Sequence, residues 1–201
     1  MNLICLDLEG VFVPEIWIAV AAETGIKELE LTTRDVPDYD DLMRGRLQIL
    51  GRHNIGLKQI QSIIETLEPY DGALELIRTL RARWQAIILS DTFEQFAKPL
   101  MRKLEWPTLF CNRLIVEGDR IIDYSLRLAD GKRKTVSALS GVGLRTAAVG
   151  DSYNDLGMID EADIGLLFRA PAQIRTERPD LTTTDTYEEL EAELVAWADS
   201  E

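Results

Sequence analysis

Two carboxylates directly follow the first apolar run of this 201-residue chain. The run from Leu3 to Leu6 predicts a buried strand, and Asp7 and Glu9 stand two residues apart at its end. Because residues i and i+2 of an extended chain point the same way, both carboxylates should face one crevice. Buried acids need a partner, and a divalent cation is the simplest one. The pair could therefore hold a metal ion, although a turn that ends the strand explains it equally well on its own.

A second acidic cluster follows another apolar run far downstream. The run from Thr146 to Gly150 is followed by Asp151, Asn154 and Asp155, at what looks like the start of a helix. A helix N-cap would explain Asp151, and the helix dipole would favour an acid at Asp155. Two acidic clusters at strand ends of one small domain nevertheless suggest the two halves of one metal site.

A hydroxyl and a group of cations complete the set of reactive residues. Ser90 and Asp91 follow the apolar run from Ala86 to Leu89, and the basic cluster 132–134 precedes the second acidic cluster. A carboxylate nucleophile, a hydroxyl, a cation and acids for Mg²⁺ are the groups that phosphoryl transfer requires. The sequence therefore favours a site that handles phosphate.

The composition restricts the classes of partner. A net charge of −13 provides no basic face for nucleic acid, so an anionic substrate must be drawn in by local cations. Cys5 and Cys111 lie in apolar segments and predict buried thiols in a reducing compartment. The lone histidine, His53, argues against histidine-based zinc sites and catalytic triads.

The sequence also favours a soluble protein of the cytoplasm. No segment has the features of a signal peptide, and no apolar run is long enough to span a bilayer. We expect no membrane partner.

Helical spacing changes to alternating strands and helices along the chain. Apolar residues recur with helical spacing between Glu15 and Tyr70, which predicts a helical cap domain over residues 14–71. Residues 1–13 and 72–201 would form the catalytic core, with alternating strands and helices that predict a parallel sheet covered on both sides. The elements expected after the cap are helices over 73–84, 93–104, 132–139 and 186–197, strands over 86–89, 108–111 and 164–168, and a hairpin over 114–122. We expect the last helix to pack on the core.

With these motifs in order, the chain resembles the haloacid dehalogenase superfamily of phosphatases. Asp7-Leu8-Glu9-Gly10-Val11 looks like its first motif, Ser90 its second, Lys132 its third, and residues 150–155 its fourth. Within the superfamily the chain is most similar to phosphoserine phosphatases, and particularly to the bifunctional phosphoserine phosphatase/homoserine phosphotransferase branch, whose first motif likewise reads Asp-Leu-Glu-Gly. The resemblance implies an α/β fold: a Rossmann-like parallel sheet with a small helical cap inserted after the first strand.

The resemblance also implies roles for the motif residues. Asp7 would be the nucleophile that forms an aspartyl-phosphate, and Glu9 the general acid and base. Ser90 and Lys132 would bind the phosphate oxygens, with Asp91 and Asn154 also in contact with substrate. Lys134 is the alternative to Lys132, which is favoured because Thr135 and Val136 follow it at the family's spacing. The ligands of Mg²⁺ would be Asp7, the Glu9 carbonyl and Asp151, supported by Asp155 directly or through another ligand.

One departure and two cap residues refine this expectation. Most of the superfamily has aspartate where this chain has Glu9, so the reach of the longer side chain as an acid and base is open. Glu15 lies near the place where the resembling phosphatases hold the substrate ammonium, and Arg46 ends a segment similar to the one whose last arginine pairs with the substrate carboxylate. The alternative for each is an ordinary solvated charge on a helix. Arg44 is expected to be an ordinary surface charge.

The function expected from the sequence is a Mg²⁺-dependent phosphoserine phosphatase that also transfers the phosphoryl group to homoserine. One alternative is a phosphatase for another small phosphorylated metabolite. A different class is a non-catalytic, receiver-like phosphoacceptor domain, which also uses aspartate, Mg²⁺ and lysine. The sequence leaves the oligomeric state open, a homodimer being one state that it allows.

Overall fold

The computed structural model of the protein describes residues 1–32, 35–36 and 38–200. In this part of the chain, one sheet contains seven strands in the order β4-β3-β2-β1-β5-β6-β7. The strands are β1 (Asn2–Leu6), β2 (Gln85–Phe93), β3 (Thr108–Glu117), β4 (Arg120–Ser125), β5 (Arg145–Gly150), β6 (Ile164–Phe168) and β7 (Thr182–Thr184). All neighbours are parallel except β3 and β4, which form an antiparallel hairpin.

The α-helices of the described chain connect these strands. They are α1 (Ile16–Thr24), α2 (Tyr39–Arg52), α3 (Leu57–Thr66), α4 (Ala73–Arg83), α5 (Glu94–Lys103), α6 (Gly131–Gly141), α7 (Leu156–Glu161), α8 (Ala172–Glu177) and α9 (Tyr187–Ala198). Short 3₁₀ helices cover Lys27–Glu30 and Tyr153–Asp155. None of the described helices is long and apolar enough to cross a membrane.

Strand β1 is the central strand of the sheet. The strand order reverses there, because β2 to β4 lie on one side of it and β5 to β7 on the other. It pairs with β2 on one side and with β5 on the other, and Leu3 to Leu6 are buried. The backbone N–H of Asp7 continues the pairing by donating to the Val149 carbonyl at 2.9 Å. Open α/β sheets bind ligands at the carboxyl ends of strands beside such a switch point. The topology therefore directs the residues after β1, β2 and β5 into one crevice.

Helices cover the sheet on both faces. On one face, Ile77 of α4, Leu100 of α5 and Leu194 of α9 join the larger apolar cluster. On the other face, Val136 of α6 and Met158 of α7 pack on the sheet in a second cluster. This arrangement confirms the parallel α/β fold and the packing of the last helix on the core.

Helices α1, α2 and α3 form an insertion between β1 and α4. The insertion leaves and rejoins the core at one place, since the Tyr70 N–H donates to the Phe12 carbonyl at 2.9 Å. Trp17 of α1 packs edge-on against Phe96 of α5, with ring centroids 5.6 Å apart. The insertion therefore shares the larger apolar cluster with the sheet.

The β3–β4 hairpin attaches the insertion to the sheet a second time. Asp119 in the hairpin turn accepts the first N–H groups of α3: its carbonyl accepts from Leu57 at 2.7 Å and its Oδ1 from Lys58 at 2.8 Å. Gly56 permits this approach, since a Cβ there would lie 2.2 Å from Asp119 Oδ2. Nearer the base of the hairpin, the Tyr124 hydroxyl donates to Asp40 Oδ1 of α2 at 2.5 Å.

Three elements of the fold differ from the sequence-based expectation. The strand expected over 108–111 and the first strand of the expected hairpin are one continuous strand, β3, because the hairpin extends the sheet. Helix α8 and strand β7 were not predicted, since β7 is three threonines long and lacks an apolar run. Cys5 and Cys111 are buried and free, as expected.

Candidate active site

A buried lysine joins two of the strand-end carboxylates. Asp7 immediately follows β1 and is 4% exposed, and Lys132 lies in the first turn of α6. The Lys132 Nζ lies 2.8 Å from Asp7 Oδ1 and 2.7 Å from Asp155 Oδ1. Lys134, the alternative cation, is exposed. The fold thus brings Lys132 rather than Lys134 to the carboxyl end of β1.

Asp155 holds the loop after β5 in place. Its Oδ2 accepts the backbone N–H groups of Asp151 and Ser152, both at 3.1 Å, and the Ser152 hydroxyl at 3.1 Å. Its Oδ1 accepts from Lys132. Because both oxygens of this fully buried carboxylate are engaged, Asp155 fixes both the loop and the lysine.

Asp151, in contrast, has one carboxylate oxygen that is not used in hydrogen bonding within the described residues. Its Oδ1 is buried and has no hydrogen-bond partner among the described residues. The carboxylate lies against Gly10, where the backbone has a φ of +82° and an added Cβ would come within 2.4 Å of it. Only glycine satisfies both conditions, so Gly10 makes room for the carboxylate.

The three aspartates could hold a cation together. Asp7, Asp151 and Asp155 each offer a carboxylate oxygen within 4.8 Å of the others. An all-oxygen donor set suits a hard cation such as Mg²⁺, and a cation would satisfy the unpartnered oxygen of Asp151. The residues present therefore fit a divalent cation.

The charges of this cluster are strongly perturbed. Burial, with the neighbouring carboxylate of Asp155, raises the pKa of Asp7 well above its usual range. Burial and Asp155 likewise raise the pKa of Asp151 to about 7. For Lys132, burial lowers the pKa, but the carboxylates of Asp155 and Asp7 outweigh it and the pKa is raised. The lysine is therefore cationic. A further positive charge beside Asp7 and Asp151 would lower their raised pKa values.

Glu9 lies between the end of β1 and the start of α1. Its Oε2 accepts the backbone N–H of Ile16 at 2.8 Å. Burial and the nearby carboxylate of Glu15 raise the pKa of Glu9 to about 8. A carboxyl with this pKa carries a proton for much of the time near neutral pH, as a general acid must.

Strand β2 bulges where it reaches the site. The register with β3 slips between Leu89 and Phe93, which frees Ser90 and Asp91 from regular pairing. The Asp91 carbonyl instead accepts from Asn112 Nδ2 at 3.1 Å and from the Tyr39 hydroxyl at 3.2 Å. Its carboxylate accepts from Asn154 Nδ2 at 3.1 Å. The bulge therefore directs polar groups of β2 toward Lys132.

Arg46 contributes a second buried cation, from the insertion. Its guanidinium lies over the Trp17 ring, 4.6 Å from the centroid, and its Nη2 donates to the Leu31 carbonyl at 2.7 Å. Its Nε is buried without a partner among the described residues. Burial lowers the pKa of Arg46 to about 10. Arg44, two residues earlier, is exposed and pairs with Asp40, as expected of a surface charge.

One cavity of about 570 Å³ connects these groups. The sequence-predicted residues that line it are Asp7, Glu9, Glu15, Arg46, Ser90, Asp91, Lys132 and Asn154. Asp151 and Asp155 lie beside Asp7. The cavity thus joins a carboxylate–lysine centre on the sheet to a cation and an acid on the insertion.

Comparison with known proteins agrees with this geometry. The sequence pattern of haloacid dehalogenase-like hydrolases matches residues 1–163. The chain belongs to this family.

Several relatives within the family match nearly the whole chain. The phosphoserine phosphatase of Pseudomonas syringae pv. tomato is 52% identical over 97% of this chain and 83% of its own length. The phosphoserine phosphatase ThrH of Pseudomonas aeruginosa is 51% identical over 97% of this chain and 96% of its own. A solved phosphoserine phosphatase in a phospho-aspartyl intermediate analogue state covers 95% of this chain and 97% of its own, with a TM-score of 0.79 at 23% identity. This last likeness shows the shared fold.

Sequence reasoning missed two polar residues of this family member's site. Tyr39 and Asn112 both donate to the carbonyl of Asp91. These contacts span 52 and 21 residues of sequence, and neither residue belongs to a recognised motif. No local signal in the sequence could have revealed them.

Proposed function

We propose that this protein is a Mg²⁺-dependent phosphoserine phosphatase that forms an aspartyl-phosphate on Asp7. The observation that carries the proposal is the cavity itself: it is lined both by Asp7 and Lys132 of the core and by Arg46 and Glu15 of the insertion. The first pair suits a phosphate and the second suits an amino acid. The names of the two Pseudomonas relatives support this choice of substrate.

The aspartates near Asp7 support a requirement for Mg²⁺. We assign the cation to the carboxylates of Asp7 and Asp151 and to the backbone carbonyl of Glu9, with Asp155 holding the loop and Lys132 in position. When bound, Mg²⁺ would offset the repulsion between the nucleophilic carboxylate and the anionic phosphate. The unpartnered oxygen of Asp151 supports this assignment.

The protein's own groups account for the transfer steps. A carboxylate oxygen of Asp7 attacks phosphorus, the bond from phosphorus to the serine oxygen breaks, and Glu9 gives its proton to that oxygen. A water then attacks phosphorus and gives a proton to the Glu9 carboxylate. The bond from phosphorus to Asp7 breaks, which releases phosphate and restores both residues. Lys132 and the Ser90 hydroxyl stabilise charge on the oxygens that are not transferred.

Arg46 and Glu15 would select the amino acid. The guanidinium of Arg46 retains unused donors, including the buried Nε, that can pair with the substrate carboxylate. Glu15 lines the same cavity and offers a carboxylate to the substrate ammonium. A sugar phosphate would leave both charges unpaired, which favours phosphoserine over that alternative.

The same groups support transfer to homoserine. Homoserine presents the same ammonium and carboxylate as the departing serine, and Glu9 could deprotonate its hydroxyl. Transfer exceeds hydrolysis only if the bound acceptor competes with water at about 55 M, which effective molarities of oriented groups can achieve. The similarity of the first motif to the Asp-Leu-Glu-Gly branch supports this second activity.

A substrate panel with Mg²⁺ tests the phosphatase. We expect turnover of phosphoserine to exceed that of phosphothreonine, sugar phosphates and p-nitrophenyl phosphate. A phosphorylated protein that persists for minutes without turnover would instead favour a phosphoacceptor domain. Incubation with phosphoserine and homoserine, followed by phosphorus NMR, tests the transferase: if saturating homoserine yields only inorganic phosphate, the transfer activity is refuted.

A further inference from the structure

We propose that the cavity contains an apolar subsite for the aliphatic body of a phosphomonoester whose phosphate lies at Asp7. The subsite is formed by Ile18, Leu42, Leu126 and Leu128, which we call the apolar wall; all four line the cavity. The proposal rests on the proposed function only in placing the phosphate at Asp7. It extends the substrate class beyond phosphoserine, whose polar body would leave this wall uncovered.

Three of the four side chains of the apolar wall are more exposed to solvent than aliphatic side chains usually are. Ile18 of α1 is 47% exposed, while Leu126 and Leu128, which follow β4, are 42% and 41% exposed. Single exposed apolar residues are common on protein surfaces. Three that line one cavity, together with the buried Leu42, give that cavity an apolar lining beside its charged groups, as small-molecule sites usually have.

The core side of the apolar wall is held in place by Arg127. Its backbone N–H donates to Asn112 Oδ1 at 3.0 Å, and its Nη2 donates to Thr135 Oγ1 at 2.7 Å. Its guanidinium also lies over the ring of Phe110, 5.0 Å from the centroid. These contacts fix the residue between the two leucines, so the leucines need little ordering when a ligand binds.

The volume of the cavity exceeds the needs of phosphoserine. Even if each of its roughly eleven non-hydrogen atoms took the ~30 Å³ share of a liquid water, the molecule would fill about 330 Å³. The cavity measures about 570 Å³. The remaining space, about 240 Å³, could hold about eight further non-hydrogen atoms at the same share per atom. Small-molecule sites are mostly apolar with a few fixed polar groups.

Binding of n-alkylphosphonates, from methyl- to hexylphosphonate, tests the subsite without requiring catalysis. Dissociation constants would be measured by titration calorimetry of the whole protein in MgCl₂. We expect about two- to fourfold tighter binding per added methylene, according to how fully each one is buried. The heat capacity of binding should also become more negative with chain length, the mark of apolar burial. A series that is flat in both affinity and heat capacity would overturn the proposal.

Serine substitutions locate the effect. The double variant Leu126→Ser/Leu128→Ser should lose most of the chain-length dependence. Ile122→Ser is the matched control, because Ile122 is a 38% exposed residue of β4 outside the cavity; it should keep the wild-type dependence. Equal dependence in the double variant and the control would overturn the proposal, and if the double variant does not fold, the heat-capacity series decides.

The proposed function can fail separately from the subsite. Loss of phosphoserine turnover with a retained chain-length dependence would refute the phosphatase and keep the subsite. Rapid phosphoserine turnover with a flat phosphonate series would support the phosphatase and refute the subsite.

Discussion

Replacing Arg46 with methionine separates substrate recognition from phosphate chemistry. Methionine keeps apolar bulk against Trp17 while it removes the guanidinium that lies over that ring. It also removes the donor to the Leu31 carbonyl and the buried Nε that has no partner among the described residues. Phosphoserine has a carboxylate to pair with that guanidinium, whereas p-nitrophenyl phosphate has none.

The expected magnitude follows from the burial of the guanidinium. Losing a charge-assisted contact at a site as buried as Arg46, which is 8% exposed, should cost about 2–4 kcal/mol in kcat/KM for phosphoserine. This is about a 30- to 900-fold loss. For p-nitrophenyl phosphate the loss should stay below about threefold, since Asp7 and Lys132 are unchanged. Steady-state kinetics on both substrates measures the ratio.

Arg44→Met provides the matched control. Arg44 lies on the same helix but is exposed, and its pair with Asp40 is a surface ion pair weakened by solvent screening. The Arg44→Met substitution should change kcat/KM by no more than about twofold for either substrate. The Arg46 variant should itself lose about 1–3 kcal/mol of unfolding free energy, so denaturation curves must establish that it is folded in the assay. Equal losses on both substrates would refute the reasoning and make Arg46 a support of the fold or of the phosphate site.

Four further predictions concern the carboxylates and the thiols. Asp7→Asn should abolish turnover, since the amide cannot form the acyl-phosphate, and circular dichroism should show an unchanged fold. Asp151→Asn should sharply raise the Mg²⁺ concentration needed for half-maximal activity. In EDTA, unfolding free energy should fall as pH rises from about 5 to 8, because Glu9 (pKa about 8) and Asp151 (pKa about 7) hold protons in the folded protein that unfolded carboxyls have released; Mg²⁺ should weaken this fall. Burial raises the pKa of Cys5 to about 12, so its thiol should react with Ellman's reagent only on unfolding.

Each of these four predictions would be contradicted by a specific experimental result. More than a few per cent of wild-type turnover in Asp7→Asn would remove that residue as the nucleophile, and an unchanged metal requirement in Asp151→Asn would remove it as a ligand. A free energy of unfolding that rises over the same pH range in EDTA would contradict the raised pKa values. Rapid labelling of Cys5 in the native protein would mean that the centre of β1 opens without global unfolding.

Local sequence patterns predict much of the fold and of the site. The apolar runs of β1 and β5 are continuous and end abruptly in acids, so both the strands and the position of Asp7 and Asp151 could be read directly. The choice between Lys132 and Lys134 was harder, because two cations stand two residues apart. Only the packing of α6 on the sheet decides which one is buried.

Features that depend on distant contacts could not be predicted. The bulge in β2 arises from its register with β3, and the hydrogen bond from Tyr39 to Asp91 requires the insertion to be folded back on the sheet. Strand β7 exists because β6 offers a free edge, not because its three threonines form an apolar run. Such elements are determined by tertiary pairing, which a single sequence does not display.

The cap of α3 by the β3–β4 hairpin has a consequence for the order of folding. Helix α3 is ten residues long, too short to be stable alone in water, and Gly56 at its N-cap supplies no side-chain acceptor. Its acceptor is Asp119, whose carboxylate bonds to a residue 61 positions earlier in the chain. During synthesis that helix emerges well before its cap exists, and closing so long a loop is slow compared with forming a local helix. We therefore expect α3 to gain its protection from hydrogen exchange only once the hairpin has formed, so that a part of the chain made early is completed late.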